Sequence, residues 1–90
     1  MRQLLMDRQA IADLKWWIQY DKRLALEVVE LIESLPNEPF QGKGKPELFK
    51  YGLSGYWSRR ISPEHRLVSE VTQAYVRIVS CRYHYRGGSP

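Results

Sequence analysis

Cysteine is almost absent from this chain: Cys81 is the only one in 90 residues. A single thiol rules out an intramolecular disulfide and favours a reducing, cytoplasmic setting. With one thiol and two histidines, His65 and His84, no zinc-ligand spacing exists, so neither a metal nor another cofactor is expected. No run approaches the roughly 20 apolar residues of a membrane span, and the N-terminus carries no signal-peptide stretch. The expectation is a soluble intracellular protein with no membrane partner. Internal repeats and low-complexity segments are lacking too. The length leaves room for one domain, which would bury roughly 60–65% of its unfolded surface.

What is present is enough for a core. Hydrophobic residues make up 43% of the chain, with three Trp, six Tyr and two Phe, which is not the composition of a disordered tail. Lys and Arg number 14 against 10 Asp and Glu, a net charge of +4. The charges are unevenly placed. Acidic residues gather in the first half (Asp7, Asp13, Asp21, Glu27, Glu30, Glu33, Glu38), whereas from Gln41 onward basic residues dominate, opposed only by Glu47, Glu64 and Glu70. A basic, aromatic-rich C-terminal half suits a polyanion such as RNA, although it equally describes a solvated basic surface.

Arg2 to Met6 reads as a short strand. Asp7 is a candidate N-cap for a helix through about Tyr20, with Ile11, Leu14 and Ile18 at helical spacing. Asp21 is a second candidate N-cap, and behind it Leu24, Val28, Leu31, Ile32 and Leu35 form an apolar stripe that Pro36 ends. Asn37 to Lys50, broken by Pro39, Gly42, Gly44 and Pro46, reads as an ordered loop or site rim. Three strands follow, at about Tyr56–Ile61, Arg66–Val71 and Tyr75–Tyr85, with hairpin breaks at Ser62-Pro63-Glu64 and Thr72-Gln73-Ala74. Strand alternation puts Arg77, Val79, Cys81 and Tyr83 on one face, and Val76, Ile78, Ser80, Arg82 and His84 on the other. The order β-α-α-β-β-β predicts an α+β fold: an antiparallel sheet with an N-terminal helix pair packed on one face and the other face open for a ligand.

Three polar clusters stand outside the expected core. They are Gly42-Lys43-Gly44-Lys45-Pro46-Glu47, then Trp57-Ser58-Arg59-Arg60 with His65-Arg66, and finally Arg82-Tyr83-His84-Tyr85. A carboxylate, several arginines and a histidine are the parts needed to cleave RNA without a metal. The 2′-OH must lose a proton, the phosphorane must be stabilised, and the 5′-oxygen must gain a proton. Lys43, Lys45, Arg60 and Arg82, basic residues of these clusters, are candidate contacts to the RNA backbone. Each part also has an ordinary reading. Glu47 can be a salt-bridged surface carboxylate, the arginines outward strand residues, His84 a satisfied surface group, and the tryptophans core or interface residues.

Four blocks in fixed order narrow the choice. Pro39-Phe40 with Gly42-Lys43-Gly44-Lys45-Pro46-Glu47, Leu53-Ser54-Gly55-Tyr56-Trp57-Ser58-Arg59-Arg60-Ile61, Glu64-His65-Arg66-Leu67-Val68 and Cys81-Arg82-Tyr83-His84-Tyr85 together closely resemble the YoeB toxins. These form the Txe/YoeB branch of the RelE-like toxin superfamily, and the likeness covers nearly the whole chain. The resemblance implies the toxin of a type II toxin–antitoxin pair with a microbial-ribonuclease-like fold, cutting mRNA in the ribosomal A site and so inhibiting translation. It implies an acidic YefM-like (Phd-like) antitoxin as partner, a toxin that also dimerises, and a 2′,3′-cyclic phosphate product. Matched position by position, Glu47 corresponds to the general base, Arg66 to the stabiliser of the phosphorane and His84 to the general acid. Tyr85 matches the tyrosine that positions the scissile nucleotide, and Lys50 and Arg59 match basic residues close to the RNA. Two other readings stay open: a non-catalytic module of the same fold that binds antitoxin or RNA, and a ribonuclease that needs no ribosome. Residues 1–85 are expected to form the toxin domain. Arg86-Gly87-Gly88-Ser89-Pro90 continue past the tyrosine at which the family usually ends, as a flexible tail.

Overall fold

The computed structural model describes residues 1–48 and 55–82. Strand β1 (Gln3–Met6) leads directly into helix α1 (Arg8–Tyr20), and helix α2 (Lys22–Ser34) returns beside it. After the loop come β2 (Glu47–Leu48), β3 (Tyr56–Ser62), β4 (His65–Val71) and β5 (Tyr75–Ser80). They form one sheet in the order β1-β5-β4-β3-β2.

The helix starts follow local chemistry. Asp21 caps α2, its carboxylate accepting from the backbone N–H groups of Arg23 and Leu24, both at 3.1 Å, which satisfies donors that a helix cannot pair internally. Asp7 occupies the N-cap position of α1 without a side-chain cap, because its carboxylate is held by Arg77. The apolar stripe of α2 behaves as its spacing predicts: Val28, Leu31, Ile32 and Leu35 are buried and Leu24 packs against them. Helix α1 differs from expectation. Its buried residues are Ala10, Asp13 and Trp17, while Ile11 and Ile18 are 44% and 48% exposed. The buried face is turned back by one residue, roughly 100° of helix. Small Ala10 allows close approach there, and Asp13 and Trp17 bond to the end of β5.

Two features of the sheet depart from the sequence expectation. The sheet is mixed: β1 pairs in parallel with β5, Leu4 opposite Val76 and Met6 opposite Ile78. Parallel pairing needs a long connection, and here everything between the first and last strands supplies it. Second, Glu47 and Leu48, expected in a loop, form a short edge strand antiparallel to β3. Two residues behind a proline are too few to show alternation. The remaining hairpins, β3–β4 and β4–β5, are antiparallel as expected. Leu67, Val76 and Ile78 meet the helices in the core.

Strand β5 stops at Ser80, well short of Tyr85, and the face assignment changes there. Cys81 is fully buried together with Val76 and Ile78, so it lies on the face that strict alternation gave to Ser80. A register shift between Val68 and Ser69 on the neighbouring strand accompanies the change. Among the described residues, no helix is long and apolar enough to cross a membrane.

Candidate active site

The sheet face turned away from the helices carries two rows of cross-strand neighbours. In the first, Glu47 stands opposite Ser58, Ser58 opposite Val68, and Val68 opposite Ser80. Arg66, two residues before Val68 and on the same face, reaches into this row. Its Nη2 donates to Glu47 Oε1 at 2.9 Å, and its Nε donates to Ser58 Oγ at 3.1 Å. Arg66 is thereby held at two points of its planar fork, with only 16% of its side chain exposed against 53% for Glu47. With its carboxylate half in solvent, the pair contributes little to stability, about 0–1 kcal/mol. Its consequence is geometric: a carboxylate that can accept a proton lies beside a permanently charged donor set.

The second row is Tyr56–Glu70–Arg77. Arg77 donates to Glu70 Oε1 at 2.9 Å and to the Tyr56 hydroxyl at 2.8 Å, and it is paired with Asp7 at the end of β1. The Asp7 and Glu70 hydrogen bonds, in that order, push the Arg77 guanidinium still higher than an ordinary arginine. Tyr75 donates to the same Glu70 oxygen at 3.3 Å, and burial followed by the Glu70 charge raises its hydroxyl. This row ties β1, β3, β4 and β5 into a platform beside the Ser58–Val68 row.

The expected RNA contacts divide. Lys43 is exposed and lies 3.7 Å from Glu27 on α2. Lys45 is exposed with a backbone φ of 51°. Both line a shallow pocket of about 240 Å³ between the loop, Leu31 and Arg60. Arg60 is exposed, and its backbone N–H donates to Gly44 O at 2.7 Å. Arg59 corrects the sequence expectation. Instead of facing solvent it is 2% exposed, and its guanidinium donates to the carbonyls of Glu38, Gln41 and Lys43. Alternation along β3 turns it away from Ser58 and towards the loop. Arg82 places its guanidinium 3.8 Å from the centre of the Trp16 ring on α1, a cation–π contact. Lys50, Tyr83, His84, Tyr85 and the 86–90 tail lie outside the described residues.

Three residues have roles at this site that the sequence reading did not assign. Ser58 orients Arg66. Its signal was its strand parity, midway between Tyr56 and Arg60. Asp13 and Trp17 grip the chain where β5 ends: Asp13 Oδ2 accepts from Cys81 N at 3.0 Å, and Trp17 Nε1 donates to Cys81 O at 2.7 Å. His65 completes this corner, 7% exposed and edge-on to the Trp17 ring at 4.8 Å. A buried carboxylate on a helix face has no sequence signal of its own. Among the described residues, no three His, Cys, Asp or Glu side chains gather as a metal-ligand set.

The fold and this site define a class: a small α+β protein with a carboxylate and an arginine paired on the sheet face away from its helices. The chain belongs to the family of YoeB-like toxins of bacterial type II toxin–antitoxin systems, whose pattern it matches over residues 6–85. It is 48% identical to the toxin YoeB of Escherichia coli over 82 residues, 91% of this chain and 98% of that one. It superposes on the YoeB dimer structure from Staphylococcus aureus with a TM-score of 0.82 at 42% identity, covering 93% of this chain and 98% of that one. The YoeB–YefM complex from the same organism aligns with a TM-score of 0.77 at 41% identity, over 94% and 99% of the two chains.

Proposed function

We propose that this toxin is a metal-independent endoribonuclease that cleaves mRNA in the ribosomal A site by general acid–base catalysis and thereby blocks translation. The observation that carries the reading is the Glu47–Arg66 pair on the open face, in the row that ends at Ser80, four residues before His84. Glu47 takes the proton from the 2′-OH. The 2′-oxygen attacks phosphorus, forming the P–O2′ bond, while Arg66 turns its N–H groups to the non-bridging oxygens that gain charge. His84 gives a proton to the 5′-oxygen as the P–O5′ bond breaks. The products are a 2′,3′-cyclic phosphate and a 5′-hydroxyl. Tyr85 stacks on the base at the scissile position, a contact worth roughly 1–3 kcal/mol in single-strand binders. Lys43, Lys45 and Lys50 attract the RNA backbone.

An acidic YefM-like antitoxin restrains the enzyme in this reading, as the YoeB–YefM complex of the Staphylococcus aureus relative suggests. An acidic antitoxin is complementary in charge to the lysine-bearing loop. A homodimer is proposed likewise, after the dimeric relative.

The test is cleavage of ribosome-bound mRNA with a 5′-bridging phosphorothiolate at the scissile bond, whose sulfur leaves without protonation. On ordinary mRNA, His84→Ala should lose roughly 10²–10⁴-fold in rate, the usual reach of a general acid. On the phosphorothiolate it should recover most of that loss, whereas Glu47→Ala should be slow on both. Unchanged cleavage of ordinary mRNA by both variants would mean that other groups do the chemistry. Naked RNA as substrate separates the ribosome-dependent enzyme from a free ribonuclease.

A further inference from the structure

Residues 58, 59 and 60 of β3 face the site and the loop in turn. Ser58 holds Arg66 from one side. On the other, Arg59 Nη1 donates to Lys43 O at 3.0 Å, and its Nη2 donates to Gln41 O at 2.7 Å and also to Glu38 O. Arg60 N adds a bond to Gly44 O at 2.7 Å. Two consecutive residues therefore satisfy four carbonyls of the loop that carries Lys43 and Lys45 and runs directly into Glu47. The loop lies so close to β3 that only glycine fits: a Cβ on Gly44, whose φ is 90°, would be 2.9 Å from Arg60 O and 3.2 Å from Arg59 Cβ. Gly42 has a φ of 105°, and a Cβ there would lie 3.6 Å from Arg59 Nη1. Burial lowers the Arg59 guanidinium from its ordinary value, with the Glu38 charge opposing. Even so, an arginine keeps its proton, and carbonyl dipoles surround the charge in place of water.

The two Nη groups are engaged by loop carbonyls, and Nε is buried without a partner among the described residues, so a phosphate would have to displace the loop to reach the guanidinium. We propose that Arg59 is a positioning residue: it latches residues 38–44 onto β3, fixing where Lys43, Lys45 and Glu47 stand, and it does not itself contact RNA. The proposal rests on the reading of Glu47 and the loop lysines as the RNA-facing groups.

The experiment compares Arg59→Met, Arg59→Lys and Lys43→Gln with the parent chain. Binding to a 2′-O-methyl oligonucleotide is followed against salt, and amide hydrogen exchange is read over residues 40–48. A lost phosphate contact lowers the slope of log affinity against log salt by about 0.7 for single strands. A latch predicts that Lys43→Gln lowers that slope while Arg59→Met leaves it at the parent value. Exchange in the loop should rise at least about tenfold in Arg59→Met with β4 and β5 unchanged, the mark of local opening. The cleavage rate at saturation should fall about tenfold or more with KM changing far less, as for a misplaced catalytic group. Arg59→Lys, which keeps charge but cannot span three carbonyls, should share the exchange and rate defects, and it carries the test if Arg59→Met does not fold. A reduced salt slope with unchanged loop exchange in either Arg59 variant would overturn the latch in favour of direct phosphate contact. Unchanged exchange and unchanged rate would overturn it outright. If Lys43→Gln leaves the slope intact, the RNA-facing reading of the loop fails, while the exchange measurement still decides the latch.

Discussion

Arg66 reaches across a whole strand to Glu47: the arginine is on β4, the carboxylate on β2, and their 2.9 Å contact passes over β3. The residues are 19 apart in sequence. Strand β3 fills the gap with Ser58, the smallest polar side chain that still accepts the Arg66 Nε. The resting site is therefore a closed pair whose members have separate tasks once substrate arrives. The 2′-OH needs the carboxylate, and the phosphorane needs the guanidinium. Because the Glu47 carboxylate is half in solvent, releasing it from the arginine costs little.

Glu47→Gln follows from this directly. It preserves size and can still accept a hydrogen bond from Arg66, but it cannot take a proton. Cleavage should fall by roughly 10²–10⁴-fold, while the melting temperature stays within a few degrees of the parent, since an exposed pair is worth about 0–1 kcal/mol. Rate and thermal melting on the same preparation check both halves. A large loss of stability would show that the pair is structural.

Ser58→Ala tests the second anchor of Arg66. Without the hydroxyl, the guanidinium is held only through Nη2 and its orientation towards the phosphate is lost in part. A hydrogen bond to a charged group is worth about 1.5–3 kcal/mol, so a fall in kcat of about tenfold or more is expected, with KM for ribosome-bound mRNA little changed. A full-rate Ser58→Ala enzyme would show that Glu47 alone sets the arginine.

The sequence was informative where one element suffices. The α2 stripe, the Asp21 cap and both hairpin breaks are set by neighbours within a few residues, and they stand as read. The helix pair packed on one face of a sheet also followed from element order. What escaped depends on contacts between distant segments. The parallel pairing of β1 with β5 is a choice between two edges that no local pattern encodes. The rotation of α1 away from Ile11 and Ile18 depends on Cys81, 68 residues beyond Asp13. Arg59 shows the same limit at the site. In sequence it is one basic residue among several, and only the packing of the loop against β3 separates it from Arg66.

Trp17 and Asp13 hold the backbone at Cys81, so variants there should loosen the end of β5. Trp17→Phe keeps an aromatic ring but leaves a buried carbonyl unpaired and a gap beside His65. A loss of about 2–4 kcal/mol is expected from these two effects together. Asp13→Asn keeps one acceptor and should cost less, about 1–2 kcal/mol. Urea unfolding measures both. Equal, near-zero effects would show that the strand end is held by core packing alone.

The Cys81 thiol gives a pH signature. It is fully buried, with its Sγ 3.7 Å from Ala10 O. Burial, and then the charge of Asp13, pushes it up from 9.0 to about 12. The folded chain therefore keeps a proton that the unfolded chain releases at lower pH. That contribution to stability is fully present below about pH 9 and is lost as the pH climbs towards 12. Cys81→Ala removes the titration along with the sulfur. At pH 7 the variant should be less stable by about 1–2 kcal/mol for the vacated volume. The gap to the parent should then shrink as unfolding is measured at pH 9, 10 and 11. Tyrosines titrate in both proteins and cancel in the difference, so the narrowing belongs to the thiol. A gap of constant size across that range would mean that the thiol is no harder to ionise in the fold than outside it.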